Sequence, residues 1–468
     1  MLKNLLLLLC LLGGSQNSRA DSLPDEDVLA QLNSLPGVEA TEKTTRDDAA
    51  KNVRRFSATI EQPVDHFNPK SAKFRQKLVI FHRGYKEPMV LQTSGYIIFG
   101  ERLSRLASVF GTNQIQVEHR YFGESTPVPT DWSKLTVRQS AEDFHHIAET
   151  FKSTYSARWV NTGASKGGMT SVFHRRFYPN DLAGTVADVA PFSYALDDDR
   201  YVAFVDAVGG ATYADCRERL YDLQQALLRR SEEILPEIEG SYEKLGDKLI
   251  AYESAVVEMP FVFWQYGDPT NAQWGCGALP AASASAHTLA NFLKVANNPN
   301  SSADAGLEIF QPYFFQAAAE LGGPGAKLSH LRGLLKYPYV LDPFLPKGVR
   351  TPYSNGVLLD MRGWAAESAN KLLFIYGEFD PWTAGSFPRL QTGEKADNHQ
   401  FVVPRGNHSA NFMMLPGTQR SEAIATLSRW LNKAPVASET SLQAFGPTAV
   451  DDSLEALELR ALRSYRPR

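Results

Sequence analysis

Short apolar, β-branched runs separated by amphipathic stretches recur along the first part of the chain. Lys77-Leu-Val-Ile-Phe81 and Gln114-Ile-Gln-Val-Glu118 read as strands, running into His82-Arg83-Gly84 and His119-Arg120-Tyr121-Phe122-Gly123. Between them, Ser94 to Phe110 predicts a crossover helix. From Ser140 to Tyr155 the apolar residues Ala141, Phe144, Ile147, Ala148, Phe151 and Tyr155 recur at helical spacing and mark one buried face. Further strands are predicted at Trp159-Val-Asn161 and Gly184-Thr-Val-Ala-Asp188. Strands alternating with helices predict a parallel sheet covered on both faces. The stretch 21–55, polar and acidic and then mixed, predicts a loosely packed segment ahead of this pattern, which begins at Phe56.

The alternation stops after residue 195. From 196 to about 345 helical periodicity continues without strands, with Leu220, Leu223, Leu227, Ile234 and Leu235 on one stretch and aromatic clusters at Phe261-Val-Phe-Trp264 and Pro312-Tyr-Phe-Phe315. Gly322-Gly-Pro-Gly325 and the prolines Pro338, Pro343 and Pro346 bound this part. Strands resume at Lys371-Leu-Leu-Phe-Ile-Tyr376 and Gln400-Phe-Val-Val403, and a helix closes the pattern at Arg420 to Leu431. The prediction is one α/β core in two parts, 56–195 and 346–433, interrupted by a helical cap at 196–345. Residues 434–468 form a Pro/Ser/Thr linker and a short amphipathic tail.

Composition adds a compartment and removes some partners. The 468 residues carry 48 basic and 52 acidic side chains, a formal net charge of -4, so no nucleic-acid partner is implied. Met1-Leu2-Lys3, the apolar run Leu5 to Leu12 and Ser18-Arg19-Ala20 predict a signal peptide over 1–20, cleaved after Ala20, and hence a secreted or periplasmic protein. That run is too short to span a membrane, which takes about 20 residues, and no later segment is apolar enough. Cys10 departs with the signal, which leaves Cys216 and Cys276 of the 3 cysteines as a predicted disulfide. Neither His-Glu-x-x-His nor a metal-binding cysteine spacing occurs, and no metal or other cofactor is expected. Nothing in the sequence sets an oligomeric state.

One motif carries chemistry. Gly163-Ala164-Ser165-Lys166-Gly167 is the single Gly-x-Ser-x-Gly in the chain, with a predicted strand before it and a helix from Gly168 to Phe177 after it. A serine on such a strained strand-to-helix turn is the nucleophile of an α/β-hydrolase fold, and the flanking glycines make room for the turn. In that fold the acid and then the histidine follow, in loops at the carboxyl ends of later strands. Asp380 ends Gly377-Glu378-Phe379-Asp380-Pro381-Trp382 directly after a strand; Glu378 stands closer to it, and Asp188, also at a strand end, is the alternative acid. Only His399 and His408 come later, and His399 begins the last strand, on the wrong edge, so His408 in Gly406-Asn407-His408-Ser409 is the predicted base. The backbone N–H of Lys166 is one predicted oxyanion donor; the second comes from the loop at Gly84-Tyr85 or from the Arg120-Tyr121 turn. The Lys166 side chain itself reads as a solvated helix-start residue.

With these residues in place, the chain resembles the bacterial secreted tripeptidyl aminopeptidases, a serine peptidase family distantly similar to lysosomal Pro-Xaa carboxypeptidase and dipeptidyl peptidase relatives. The likeness rests on Glu61-Gln-Pro-Val-Asp-His-Phe67, Glu118-His-Arg-Tyr-Phe-Gly-Glu-Ser125, Thr162-Gly-Ala-Ser-Lys-Gly-Gly-Met-Thr170, His174-Arg-Arg-Phe-Tyr-Pro179, Phe261-Val-Phe-Trp-Gln-Tyr266, Gly377-Glu-Phe-Asp-Pro-Trp382 and Gly406-Asn-His-Ser-Ala410. Ala164 departs from the glycine expected beside the nucleophile. The resemblance implies a peptide substrate with a free N-terminus, cleaved three residues in. Such an enzyme needs an anion for the α-ammonium group, about 10 Å from Ser165 at 3.3–3.6 Å per extended residue. The candidates are Glu118, Glu124, Asp197, Asp198, Asp199, Glu253 and Glu258. The competing readings are a Pro-Xaa carboxypeptidase-like or dipeptidyl peptidase-like enzyme, an esterase or lipase with the same triad, and an inactive hydrolase fold used for binding.

Overall fold

The apolar runs become the centre of a single mixed sheet. The computed structural model describes residues 27–392 and 396–436, so the predicted signal peptide and most of the predicted tail lie outside the described residues. The strands are β1 (Val38–Glu42), β2 (Arg54–Pro63), β3 (Lys73–His82), β4 (Met89–Thr93), β5 (Asn113–Val117), β6 (Trp159–Ala164), β7 (Gly184–Asp188), β8 (Leu372–Gly377) and β9 (His399–Val403). They lie in the order β1-β2-β3-β5-β4-β6-β7-β8-β9. From β5 to β9 neighbouring strands are parallel, whereas β1, β2 and β3 pair antiparallel and β3 meets β5 antiparallel. This is an α/β-hydrolase sheet with an antiparallel flank.

The sheet corrects two expectations. Residues 21–55 do not pack loosely throughout: the helix Val28–Ser34 buries Val28 and Leu32 completely, and β1 adds to β2 as an edge strand. In β2, Phe56, Ala58, Ile60 and Gln62 alternate inward, a period-two signal weakened by the small Ala58 and the polar Gln62 at inward positions. The second correction concerns the crossover helix expected over Ser94 to Phe110, which is confined to Arg105–Phe110; before it lies β4, a fully buried five-residue strand at 89–93 that was not among the predicted elements. Met89-Val-Leu-Gln-Thr93 is too short to stand out by periodicity, yet it occupies the centre of the sheet between β5 and β6.

Helices cover both faces. On one, Leu78, Ile80, Leu91 and Ile115 meet Phe144, Ile147 and Phe151 of the helix Val137–Lys152. On the other, Val160, Val186 and Leu373 meet Phe110, Leu427 and Trp430, from the helices Arg105–Phe110 and Gly417–Leu431. Each such side chain contributes about 1.5–3 kcal/mol when fully buried, which fixes the strand ends from which the site is built.

Between β7 and β8 no strand forms among the described residues. The helices Asp199–Ala207, Ala214–Arg229, Lys248–Tyr266, Ala286–Ala296 and Asp304–Gln316 surround a core of their own, in which Leu220, Leu223 and Leu227 pack with Tyr252, Val256, Met259, Leu289 and Leu293. The chain enters and leaves this body at one place, where Gly323 N–H donates to Ala195 O (3.0 Å) and Asp198 N–H to Gly323 O (3.1 Å). Leu331 and Phe344, farther along, still pack on the same core. No helix among the described residues is long and apolar enough to cross a membrane.

Cys216 and Cys276 form a disulfide within this helical body, their Cα atoms 5.3 Å apart and 60 residues apart in sequence. A closed loop of that length lowers unfolded-chain entropy by an amount worth about 4 kcal/mol. Replacing both cysteines by serine should therefore lower the urea midpoint and steepen the slope, because the uncrosslinked unfolded chain exposes more surface, as read by equilibrium unfolding followed by tryptophan fluorescence.

Candidate active site

The turn after β6 has the geometry that the Gly-x-Ser-x-Gly spacing requires. Ser165 sits at φ 53°, ψ -127°, a conformation that an L-residue adopts only at a cost of about 1–3 kcal/mol. Two backbone bonds hold it: Ser165 N–H donates to Asp188 O on β7 (2.9 Å), and Ser165 O accepts from Met169 N–H (3.0 Å) in the helix Lys166–Phe177. The glycines are steric necessities. A Cβ on Gly163 would lie 2.4 Å from the Gly167 carbonyl, and one on Gly167 would lie 2.3 Å from Thr93 O. Ala164 is only partly buried and its methyl is accommodated.

Asp380 and His408 meet where β8 and β9 end. Asp380 opens the short helix Pro381–Gly385; its Oδ1 accepts from Trp382 N–H (3.0 Å), and its Oδ2 lies 2.7 Å from His408 Nδ1. Both side chains are fully buried. Burial pushes the Asp380 carboxyl up, while the His408 imidazole and the Trp382 N–H act in the opposite direction. Glu378 is exposed and accepts from Arg405 N–H (2.6 Å), away from the imidazole, and His399 is engaged with Asp397 (2.9 Å).

Asp188, the alternative acid, holds Ser165 through its backbone carbonyl only. Its side chain keeps some surface, but loss of surrounding water pushes its carboxyl up to about 7, opposed by Arg105, and its Oδ1 has no hydrogen-bond partner. A carboxyl raised above its unfolded value of 3.8 contributes stability below about pH 4 that is lost as pH rises towards 7. Asp188→Asn should therefore flatten the fall in thermal midpoint between about pH 4 and 7, while kcat stays within about threefold of the unmodified protein.

The loop at Gly84-Tyr85 is not near Ser165. Because β3 runs antiparallel to β5, its carboxyl end lies at the amino ends of the parallel strands: Arg83 and Gly84 N–H both donate to Asn113 Oδ1, at the start of β5 (2.7 and 3.3 Å). Tyr85 OH bonds Asp27 (2.7 Å) on that same far edge. In the Arg120-Tyr121 turn the Tyr121 N–H is already taken by Ser125 O (2.9 Å), while the Arg120 side chain is buried against Asp143 (2.6 Å). The loop that does abut the nucleophile turn follows β4. Gly95, at φ +78°, packs so closely that a Cβ would lie 2.4 Å from Gly167 N and 2.8 Å from Lys166 C. Lys166 is not solvated: its side chain is buried and Nζ donates to Gly95 O (2.7 Å).

A cavity of about 270 Å³ lies within the helical body, lined by residues of 196–344 and, from the core, by Trp382. Trp382 and Gln265 line it at one end, and both belong to the His408 surroundings: the Trp382 ring is 6.1 Å from the imidazole, and His408 N–H donates to Gln265 O (2.8 Å). Phe310 and Tyr313 line it as well, each 5.9 Å ring to ring from Tyr96, next to Gly95. Of the seven carboxylates proposed for an ammonium group, Glu258 and Asp197 line this cavity. Glu258 keeps some surface; loss of surrounding water pushes its carboxyl up, against hydrogen bonds from Tyr339 OH (3.0 Å) and the Asn297 side chain, and no cationic side chain pairs with it among the described residues. The other five have structural work. Glu118 accepts from Ser125 (2.9 Å), Glu124 pairs with Lys77 (2.9 Å), and Asp198 pairs with Arg200 (2.8 Å). Asp199 is exposed in the first turn of its helix, and Glu253 accepts from the N–H groups of Lys336 and Tyr337 (2.8 and 2.9 Å).

The family described as PS-10 peptidase S37 matches residues 24–466. The chain belongs to peptidase family S37. A prolyl tri/tetrapeptidyl aminopeptidase of Streptomyces mobaraensis is 34% identical to this S37 peptidase over 454 residues, 94% of this chain and 93% of that protein. A lysosomal Pro-X carboxypeptidase of Mus musculus is 27% identical over 187 residues, 34% of this chain and 37% of the mouse protein. Among solved structures, a proline iminopeptidase of Mycobacterium smegmatis aligns at a TM-score of 0.38 and 13% identity over 80% of the S37 chain and 99% of its own. The S37 chain is thus a serine peptidase, and its substrate is a peptide.

Proposed function

We propose that this S37 peptidase releases tripeptides from free peptide N-termini through a Ser165–His408–Asp380 acyl-enzyme mechanism. Glu258 carries the proposal: it is a partly buried carboxylate lining a cavity that adjoins the His408 loop through Trp382 and Gln265, with no cationic partner among the described residues. Burying such a charge is costly unless a counter-charge arrives, and a substrate α-ammonium supplies it. The cationic side chain lining the cavity, Lys327, is already paired with Asp206 (2.9 Å), which argues against a site built for a substrate carboxylate. The Streptomyces relative, named for tri- and tetrapeptidyl release, supports the same direction.

In this mechanism His408 takes the Ser165 proton as Oγ attacks the third carbonyl, and Asp380 orients and stabilises the imidazolium that forms. The N–H of Lys166 and an N–H from the Gly95-Tyr96 turn receive the oxyanion. His408 then returns the proton to the departing amine, and water repeats the sequence on the acyl-enzyme. Residues 1–20 are read as an export signal, with which a disulfide in the helical body is compatible.

Glu258→Gln tests the ammonium site. A charge-assisted hydrogen bond contributes about 1.5–3 kcal/mol, so kcat/KM on free-amine substrates should fall about 10- to 100-fold, mainly through KM. Activity against N-acetylated analogues, already low, should be unchanged. Equal losses on both would place the ammonium elsewhere.

A further inference from the structure

Lys166 is an unusual residue to find under a nucleophile. It follows Ser165 directly, its side chain turns into the protein, and only 3% of it is exposed. No acidic side chain pairs with its amine among the described residues; instead Nζ donates to Gly95 O (2.7 Å) and lies over the rings of Phe122 (5.0 Å) and Tyr96 (5.5 Å). Loss of water holds the amine well below the usual lysine range. Sequestering a lysine in this way costs free energy, and nothing in packing alone requires an amine there: a methionine would fill similar space.

The carbonyl that the amine holds belongs to the peptide unit joining Gly95 to Tyr96. In a trans peptide the C=O and N–H point in opposite directions, so fixing the Gly95 oxygen inward turns the Tyr96 N–H outward from the amine. The same turn is clamped on its other side. Tyr96 O accepts from His119 N–H (3.0 Å) and from Ser94 Oγ (2.8 Å), and the Tyr96 ring contacts Phe310 and Tyr313 at the cavity. Gly95 lacks a side chain at the point where the turn presses on the Lys166–Gly167 backbone, so the two candidate donors, the N–H groups of Lys166 and Tyr96, belong to segments in direct contact.

The geometry points to Lys166 as a positioning residue for the oxyanion site: its side-chain amine locks the Gly95-Tyr96 peptide so that the Tyr96 N–H joins the Lys166 N–H in receiving the developing oxyanion. One residue thus acts twice, by its backbone directly and by its side chain through Gly95. This rests on Ser165 being the nucleophile, and it adds a role that the triad does not need for attack but does need for stabilising the tetrahedral intermediate. Loss of one oxyanion donor typically lowers kcat by about 10²–10³-fold.

Lys166→Met removes the donor and keeps the volume. It should lower kcat on tripeptide substrates about a hundredfold with KM within about threefold, in line with the loss of one oxyanion donor. Affinity for a peptide aldehyde, whose adduct carries the oxyanion, should fall by the same factor, while affinity for a tripeptide product stays unchanged. Lys166→Gln retains an N–H donor on a chain one atom shorter and should recover about tenfold of the loss, a partial return of one donor's contribution. An unchanged kcat in Lys166→Met, or product affinity falling together with aldehyde affinity, overturns the proposal. A wrong nucleophile would show differently, as failure of a phosphonate to label Ser165 in the unmodified enzyme. If Lys166→Met does not fold, a crystal structure of the unmodified enzyme's aldehyde adduct decides. Its oxygen should lie about 2.7–3.1 Å from the nitrogens of Lys166 and Tyr96, with Nζ still on Gly95 O. An oxygen bound by any other pair refutes the role.

Discussion

Ser165→Ala is expected to lower kcat about 10⁶-fold and to leave the thermal midpoint unchanged. The loss is large because the triad acts as a unit, and without Oγ the imidazole has no nucleophile to activate. The fold is indifferent because Ser165 is held by its backbone: the bonds to Asp188 O and from Met169 N–H do not involve the hydroxyl. Alanine tolerates the turn about as well as serine, since both carry a Cβ at φ 53°. Rates on a chromogenic tripeptide amide, with parallel melting curves, check both halves. Residual activity above about one per cent of the unmodified enzyme would mean that another group attacks the carbonyl.

The second large effect is expected from Asp380→Asn, about 10⁴-fold in kcat. The Asp380 Oδ2 that faces His408 Nδ1 at 2.7 Å keeps the Nδ1 proton in place, leaving Nε2 as the acceptor that the serine proton needs. An asparagine that retains the Trp382 N–H bond through its oxygen turns its NH₂ group towards Nδ1. The ring then carries its proton on Nε2, where it cannot act as a base. Both side chains are fully buried, so no water can substitute for the lost carboxylate. The near-neutral Asp188→Asn is the contrasting control. If the two outcomes were exchanged, the acid would be the residue at the end of β7.

The residues at the ends of β6, β8 and β9 are legible in the sequence because each follows a buried apolar run that announces its strand. Chain order then restricts the choice of acid and base. Two kinds of feature are not legible. One is the edge to which a loop belongs: Gly84-Tyr85 follows a strong strand, but only the pairing of β3 with β5 shows that this strand runs the other way. The turn that does reach the nucleophile follows β4, a strand of five residues with no period of its own. The other is the surroundings of a charge. Seven carboxylates look alike as letters, and Glu258 separates from them only where the helical body places it at a cavity without a cationic partner. Lys166 is hidden for the same reason, since lysine at a helix start ordinarily faces water and here does not.

Tripeptide release from a free N-terminus is tested most directly by mass spectrometry of the products from a paired digestion. One unblocked peptide of about ten residues and its N-acetylated twin are incubated with the purified enzyme and sampled from the first turnovers. The free peptide should yield an N-terminal tripeptide and its complementary remainder, and the acetylated one little product. Equal cleavage of both peptides, or residues lost from the C-terminus, would contradict tripeptide release.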